Sequence, residues 1–296
     1  MTATTAPHMA GRRWPGGALT RRRDGARPGH PLTLEVGVGV VALFAVMAVV
    51  SAIWTPYPPM QPMTGAPLSP PSWAHLFGTD ALGTDIFSRT FSATHTDVGI
   101  TVAVIGLALV VGTVWGSLVG FFGGWADELT TRVLQVMNAF PALLLAMLVI
   151  SAMGRSIIDV IVVVALIPLP DYVRLARAEI MTRKTWQFAE AARMTGRRPV
   201  GVLFRHLVPN SLRPLFAYAG INGSWVVATV GALGFLGLGV QPGSAEWGSM
   251  IAGGESQIVS GNWWISFFPG LGIFLLACAL HLIGDGLADA DVARRN

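Results

Sequence analysis

The uncharged stretch VGITVAVIGLALVVGTVWGSLVGFF, residues 98–122, decides the fold of this chain. It has 25 residues without an acidic or basic side chain, and a helix needs roughly 20 apolar residues to cross the hydrocarbon core of a bilayer. Backbone N–H and C=O groups in lipid must find their partners within the segment, which favours a helix over an open strand. The stretch therefore predicts a transmembrane helix.

Comparable uncharged runs occur along the rest of the chain. Four are close to membrane length or longer and a fifth is shorter: residues 36–53, 133–153, 215–240 and 263–280, with 157–169 as the shorter one. The shorter run ends at the prolines Pro168 and Pro170. The helix-compatible sequence after it can complete the crossing. A soluble core of buried helices is the weaker interpretation, because only 12% of the residues are charged against about 25% in a typical soluble domain. We predict an all-α polytopic membrane protein with six transmembrane helices.

The first run admits two interpretations. A basic segment precedes it and residues 50–52 resemble a cleavage site, as in a signal peptide. Its apolar part is longer than the roughly 7–15 residues of a signal-peptide core. We therefore expect residues 35–54 to be an uncleaved first transmembrane helix that follows a basic cytoplasmic tail, residues 1–34.

The basic residues predict the orientation of the spans, because Lys and Arg concentrate in cytoplasmic loops. With six spans and an inner N-terminus, 18 of the 20 basic residues fall on one side. Only Arg89 and Arg155 fall on the other side. We expect both termini to be cytoplasmic. The pI near 10 follows from this asymmetry, and no nucleic-acid partner is expected.

The outer segment between the first two spans, residues 55–96, begins with a proline-dense part that cannot stay helical for long. It then repeats Gly-Thr-Asp at residues 78–80 and 83–85. These repeats are typical of turns and helix caps, and Asp85 is placed to cap a short helix at residues 86–91. His75 and His95 have no metal-ligand spacing, so no metal site is predicted. Cys278 lies inside the last run as a small apolar side chain.

The inner segment 171–214 carries nine basic residues against three acidic ones. TWQFAEAARMTG predicts one short helix that ends at Gly196. A second helix is expected to begin near Pro199, and Pro209 marks the next boundary. Two interpretations remain open on these features: a basic helix lying on anionic lipid, or a surface that another protein approaches over small alanines.

Within this segment, Glu190-Ala191-Ala192 followed by Gly196 and a hydrophobic stretch ending at Pro209 resembles the EAA loop of bacterial ABC importer permeases. The family usually ends the loop in Ile-x-Leu-Pro, where this chain has His206-Leu207-Val208-Pro209, and the following Asn is typical of the peptide/nickel branch. Further segments at 77–89, 120–146, 233–254 and 267–290 resemble the second, C-type permease of dipeptide and oligopeptide importers. The chain departs from the family at Thr84, commonly Arg, and at SATHTD, residues 92–97, where relatives have Gly-Ala-Arg.

The resemblance implies a type I ABC importer permease fold in the bacterial plasma (inner) membrane. Residues 55–96 would be an extracytoplasmic loop, 97–290 the permease core with its EAA coupling loop at about 183–213, and 291–296 a C-terminal tail. It implies four kinds of partner: a homologous second permease in a heterodimer, two ATP-binding subunits, an extracytoplasmic solute-binding protein and the lipid bilayer. The residues expected to contact the ATPase are Glu190, Ala191, Ala192, Arg193, Gly196, His206 and Pro209.

The chain itself is not expected to hydrolyse ATP. A phosphate-binding P-loop has the pattern G-x-x-x-x-G-K-[ST], and the only lysine, Lys184, follows Met-Thr-Arg. ATP and Mg would be bound by the partner ATPases, so we predict a non-catalytic permease that binds no cofactor of its own.

Cargo and pathway are less determined by the sequence. Dipeptides or oligopeptides are the expected cargo, with nickel chelates, glutathione or another small solute as alternatives. Four polar residues within spans could line the pathway: Asn138, Asn222, Ser224 and Thr229. Hydrogen bonds between helices explain their presence equally well. A scaffold would explain the helices but not the segment matches.

The alternative from another class is a proton-coupled secondary transporter, which needs ionisable residues deep in the membrane. Asp159, Asp171 and Asp285 are all expected near span ends. His281 comes nearest to an exception.

Overall fold

The computed structural model describes residues 31–187, 198–241 and 244–295. Helices dominate this part of the chain. In order they are α1 (Pro31–Ile53), α2 (Ile86–Phe122), α3 (Trp125–Ala139), α4 (Ala142–Met153), α5 (Ile157–Leu166), α6 (Leu169–Arg183), α7 (Pro199–Val202), a π-helical turn (Leu203–Leu207), α8 (Val208–Phe235), α9 (Trp247–Ile258) and α10 (Trp264–Arg295).

Four helical segments in the described residues are long and apolar enough to cross a membrane: Leu32–Ile53, Ile86–Phe122, Pro199–Phe235 and Trp264–Asp291. Large apolar side chains such as Val102, Val110, Trp225 and Phe274 are exposed on these helices. Such faces suit hydrocarbon, where an exposed apolar side chain costs nothing.

The span predicted at residues 133–153 is not one continuous helix. The chain bends by 89° between α3 and α4, where Phe140 is extended and Pro141 precedes the first turn of α4. Proline removes a backbone donor and forces the preceding residue out of the helical region. The structure thus has four membrane-length helices in its described part, or five if this bent pair forms one span.

The shorter predicted run is also divided. α5 has only 10 residues, and the chain turns at Ile167 and Pro168 before α6 begins. Ser156 and Asp159 form a capping box at the start of α5. A sixth crossing therefore requires α5 and α6 together.

Asp85 caps a helix as predicted, and its carboxylate accepts a hydrogen bond from the Ser88 N–H at 2.7 Å. The expected short helix at residues 86–91 is instead the start of α2, which continues for 37 residues. Ala93, Thr94 and Asp97 stay on its buried face, so nothing interrupts the helix after Phe91.

The C-terminal half of α2 packs tightly along α6. A Cβ atom placed on Gly112 would lie 2.4 Å from the Tyr172 Cβ, and one on Gly116 would lie 2.3 Å from the Val173 carbonyl oxygen. On Gly120 it would lie 2.7 Å from the Arg177 oxygen. The two helices therefore run side by side in the same direction, and only glycine permits this separation.

The remaining spans complete the bundle. α8 packs along α10, and α1 covers the other side of α10. The largest apolar cluster joins α2, α5 and α8 through residues such as Val104, Val163 and Val230.

Candidate functional site

The predicted coupling residues Glu190, Ala191, Ala192, Arg193 and Gly196 lie outside the described residues, as does most of the helix expected over TWQFAEAARMTG. The structure describes both flanks of this segment. They are the end of α6 on one side, and α7 with the π-helical turn on the other.

On the downstream flank, Pro199 opens α7 at its first turn, as predicted. The predicted boundary at Pro209 is a change of helix type and not an end, because the helix runs on from Pro199 to Phe235. Pro209 has no N–H to donate to a carbonyl one turn earlier. The preceding turn is π-helical, and the Val208 N–H donates to the Leu203 carbonyl.

The π-helical turn is anchored in the bundle. Leu203 and Leu207 are fully buried together with Ile180 of α6, and Leu118 and Phe121 of α2 pack against them. A displacement of the segment before this turn is therefore transmitted to α2 and α6, since packed interiors deform little.

His206 and Pro209 occupy different environments beside this anchor. The Nε2 atom of His206 is shielded from solvent and has no hydrogen-bond partner among residues 31–187, 198–241 and 244–295. Pro209 is exposed and borders an open depression of about 600 Å³, together with Glu179, Trp186 and Asn210.

Sequence reasoning missed the upstream wall of this depression. Arg183 is buried, pairs with Glu179 one turn earlier, and places its guanidinium 5.5 Å from the centre of the Trp186 ring. The i, i+4 spacing of the acid and the arginine on one helix is the sequence signal that indicates such a pair.

Two polar contacts tie the C-terminal part of α6 to its neighbours. The Arg177 guanidinium donates twice to the Asp127 carboxylate of α3, at 2.5 and 2.6 Å. The ammonium of Lys184 donates to the Gly120 carbonyl of α2 at 3.0 Å. The end of α6 is thereby fixed on two sides.

The four pathway candidates separate into two groups. Ser224 and Thr229 donate to carbonyls one turn earlier in their own helix, both at 2.7 Å. Asn222 accepts a hydrogen bond from the Tyr172 hydroxyl at 3.4 Å. With its amide oxygen turned towards Arg174, Asn138 accepts from that guanidinium at 2.6 and 3.0 Å.

Asn138 and Asn222 thus meet α6 at one polar cluster, which we call the Asp171 cluster. It consists of Asn138, Asp171, Tyr172, Arg174, Tyr218 and Asn222. Asp171 pairs with Arg174 and accepts a hydrogen bond from the Tyr218 hydroxyl at 3.0 Å. The rings of Tyr172 and Tyr218 meet edge to face at 5.0 Å.

Asp171 lies in the first turn of α6, and its neighbour Tyr172 packs on Gly112, ten residues before the end of α2 at Phe122. That Asp171 lies near a span end stays a prediction.

The comparisons with known proteins can be set beside this geometry. Residues 112–294 match the family described as "Binding-protein-dependent transport system inner membrane component". The chain belongs to this family.

Relatives of this permease family match most of its length. A probable D,D-dipeptide transport system permease of Escherichia coli is 34% identical, over 88% of this chain and 87% of its own. A di/tripeptide transport system permease of Pseudomonas aeruginosa is 36% identical, over 84% of each chain. A glutathione transport system permease of Pectobacterium atrosepticum is 37% identical, over 74% of this chain and 73% of its own.

Membership in this family, with its membrane-length helices, makes the chain a multi-pass inner-membrane transport permease and argues against the proton-coupled alternative. His281 and Asp285 lie one turn apart in the second half of α10, 3.4 Å from each other and both about half exposed (52%).

The Gly-Thr-Asp repeats build a loop. Gly78 and Gly83 both have positive φ, which glycine adopts without strain. The Asp80 carboxylate accepts from the N–H groups of Leu82 and Thr84, both at 2.9 Å. These bonds confirm the predicted turn-forming role.

Glu246 is the most unusual group near this loop, and no sequence pattern indicates it. It caps α9, is 1% exposed, and lies against Gly234, Gly239 and Gly248. Burial raises the pKa of its carboxyl to about 7, although the backbone N–H of Gly248 opposes the shift. One carboxylate oxygen, Oε2, has no hydrogen-bond partner in the described residues.

Proposed function

We propose that this chain is the permease subunit of an ATP-driven importer for dipeptides or oligopeptides. The observation that carries the proposal is the match, over 84–88% of the chain, to permeases named for D,D-dipeptide and di/tripeptide transport. The alternative cargo is glutathione, because a glutathione permease is 37% identical. Glutathione is itself a short peptide-like solute with free charges.

Six crossings with both termini in the cytoplasm form the proposed topology. The four membrane-length helices account for four of them, and the bent pair α3–α4 for a fifth. α5 and α6, read as one broken span, supply the sixth. The distribution of basic residues supports this orientation, since 18 of 20 fall on the inner side under it.

In this proposal, energy enters at the segment around Glu190 and Gly196. The segment docks on a separate ATPase subunit, and the depression beside Pro209 and Trp186 forms part of the contact. Two ATPases bind the ATP and Mg, so this chain needs no cofactor. Movement of the docked segment passes through the π-helical turn to α2 and α6, because Leu203 and Leu207 are buried between them.

A second, homologous permease completes the pathway, and an extracytoplasmic binding protein delivers the cargo. The two permeases then alternate between inward-open and outward-open arrangements as the ATPases close and separate.

The experiment is uptake of a labelled dipeptide by the complete transporter in proteoliposomes. We expect Glu190→Ala and Gly196→Leu each to lower ATP-driven uptake at least tenfold while leaving membrane insertion intact. The matched control is Glu255→Ala, which removes an exposed acid from α9 on the outer side and should leave uptake unchanged.

Copurification gives the second readout. The wild-type chain, extracted in mild detergent, should bring a second permease and ATPase chains with it, and the doubly changed Glu190/Gly196 protein should lose the ATPases. A chain recovered alone that moves solute under a proton gradient would overturn the proposal.

A further inference from the structure

The Asp171 cluster places an acid and a base together on α6, which completes the sixth crossing in the proposed topology. Asp171 and Arg174 form an ion pair whose side chains are 48% and 50% exposed on the isolated chain. Charged side chains within a crossing are costly in lipid and face a water-filled cavity or the bundle interior. The half-exposed side of this pair therefore suits the transport pathway better than lipid.

Each member of the pair is also held by a neutral neighbour. The Tyr218 hydroxyl donates to Asp171 at 3.0 Å, and the Asn138 oxygen accepts from Arg174 at 2.6 Å. Tyr218 belongs to α8 and Asn138 to α3, so the two charges are fixed from opposite sides. If a ligand separated the ion pair, both side chains would keep a partner and their positions.

We propose that Asp171 and Arg174 form a binding site for the two charged ends of a short peptide during its passage. The peptide ammonium binds the Asp171 carboxylate, and the peptide carboxylate binds the Arg174 guanidinium, whose planar fork suits a carboxylate. One internal ion pair is exchanged for two charge-assisted pairs with the cargo. This inference rests on the proposed function, since it assigns the site to the same cargo.

The spacing selects for peptide length. Side chains three residues apart on a helix have Cβ atoms about 5–6 Å apart, and an extended dipeptide measures about 7 Å from end to end. An extended pentapeptide measures about 17 Å, so it cannot engage both groups at once. Dipeptides and tripeptides are therefore the cargo that this site fits.

The neighbouring Arg177 shows that the arrangement is specific to Arg174. Arg177 stands one turn further along α6, and the Nε and Nη2 edge of its guanidinium donates to both carboxylate oxygens of Asp127 in α3. Its side chain is 32% exposed. It is committed to joining two helices, whereas the Asp171–Arg174 pair lies within one helix and presents its outer half to the pathway.

The test is equilibrium binding of labelled L-alanyl-L-alanine to the complete purified transporter, held with a non-hydrolysable ATP analogue and without the binding protein. N-acetylated and C-amidated forms of the peptide serve as competitors. We expect the wild type to bind each capped form at least tenfold more weakly than the free dipeptide. In Asp171→Asn, N-acetylation should cause no further loss, and in Arg174→Gln, amidation should cause none.

The control is Glu128→Gln, which neutralises one member of an exposed ion pair on α3 and should retain both tenfold preferences. Copurification of all partner subunits with Asp171→Asn and Arg174→Gln checks that these proteins assemble. Preferences that persist in both variants, or their absence in a wild type that imports dipeptides, would overturn the site and leave the importer standing. A wild-type transporter that imports no peptide would overturn the proposed cargo and the site with it.

Discussion

At its C-terminal end, the inner end in the proposed topology, α2 packs against α6 through glycines. At its N-terminal end, the outer end in that topology, it meets α9 and the Gly-Thr-Asp loop through buried polar groups. On the inner side Gly116 lets the Val173 carbonyl approach the helix axis. On the outer side the Trp247 indole donates to the Thr90 carbonyl at 3.0 Å, and its backbone N–H donates to Asp97 at 3.1 Å.

The difference shows how one helix can be held by two unlike means. Glycine contacts depend on shape, so a single added methyl group disturbs them, while pH leaves them unchanged. The outer contacts include two buried carboxyl groups, Asp97 and Glu246, so they respond to protonation. The inner side, where the proposed energy input lies, is therefore sensitive to packing, and the outer side is sensitive to pH.

The largest expected effect breaks the inner contact. In Gly116→Val the new Cβ would lie 2.3 Å from the Val173 oxygen and 2.9 Å from the Ala176 Cβ. Because α6 must shift as a whole to relieve it, we expect a loss of at least about 3 kcal/mol, the upper end of overpacking costs. The measurement is the yield and thermal unfolding midpoint of the assembled transporter in detergent.

Gly106→Val is the matched control, since a Cβ at Gly106 of the same helix meets nothing within 4 Å. Equal losses for the two substitutions would show that valine harms the helix by propensity alone and that the close approach to α6 is unimportant.

The second effect concerns the outer contact and its pH dependence. Burial raises the Glu246 pKa from 4.5 to about 7 in the folded protein. The folded state therefore binds the proton more tightly, and this contribution to stability is complete below about pH 4.5 and is lost as pH rises through about 7. We expect stability to fall by about 3 kcal/mol across this window.

Unfolding midpoints of the assembled transporter, measured from pH 5 to pH 8, check this expectation. Glu246→Gln carries no titrating group, so its curve should be flatter than that of the wild type, and the two should diverge most at high pH. A wild type that becomes more stable as pH rises would contradict the assigned direction of the shift.

The smallest expected effect tests one hydrogen bond at the inner contact. Lys184→Met removes the ammonium that donates to the Gly120 carbonyl but keeps an unbranched side chain of similar length. We expect a loss of about 1 kcal/mol, typical of one hydrogen bond, seen as a small fall in the unfolding midpoint. Lys184→Arg retains a donor and should lose less; no difference between the two would leave the hydrogen bond without a role.

Much of the fold was predictable from single segments. The run at residues 98–122 is a helix, Asp85 caps it, and Pro199 begins the helix after the proposed coupling segment, as expected. These features depend on residues close together in sequence. The bend at Pro141 and the break at Pro168 were harder to place, because a proline within an apolar run can kink, end or merely begin a helix.

The candidate site was only partly predictable. Asn138 and Asn222 were chosen as polar residues within spans, and both belong to the Asp171 cluster. Asp171, Arg174 and Tyr218 were missed as a group, because Asp171 and Tyr218 are 47 residues apart and no local pattern joins them. The glycines that lie against Glu246 (Gly234, Gly239 and Gly248) were also missed, because no local sequence pattern marks them.

The sequence by itself determined that this protein lies in a membrane, that it is built of helices and to which family it belongs. Preference for lipid belongs to each apolar run, and the helix follows because no water satisfies the backbone there. Only the tertiary structure decided how buried each polar group is and which partner it meets. Those properties depend on where the helices bend and how closely glycines let α6 approach α2, and no single segment of the sequence determines either.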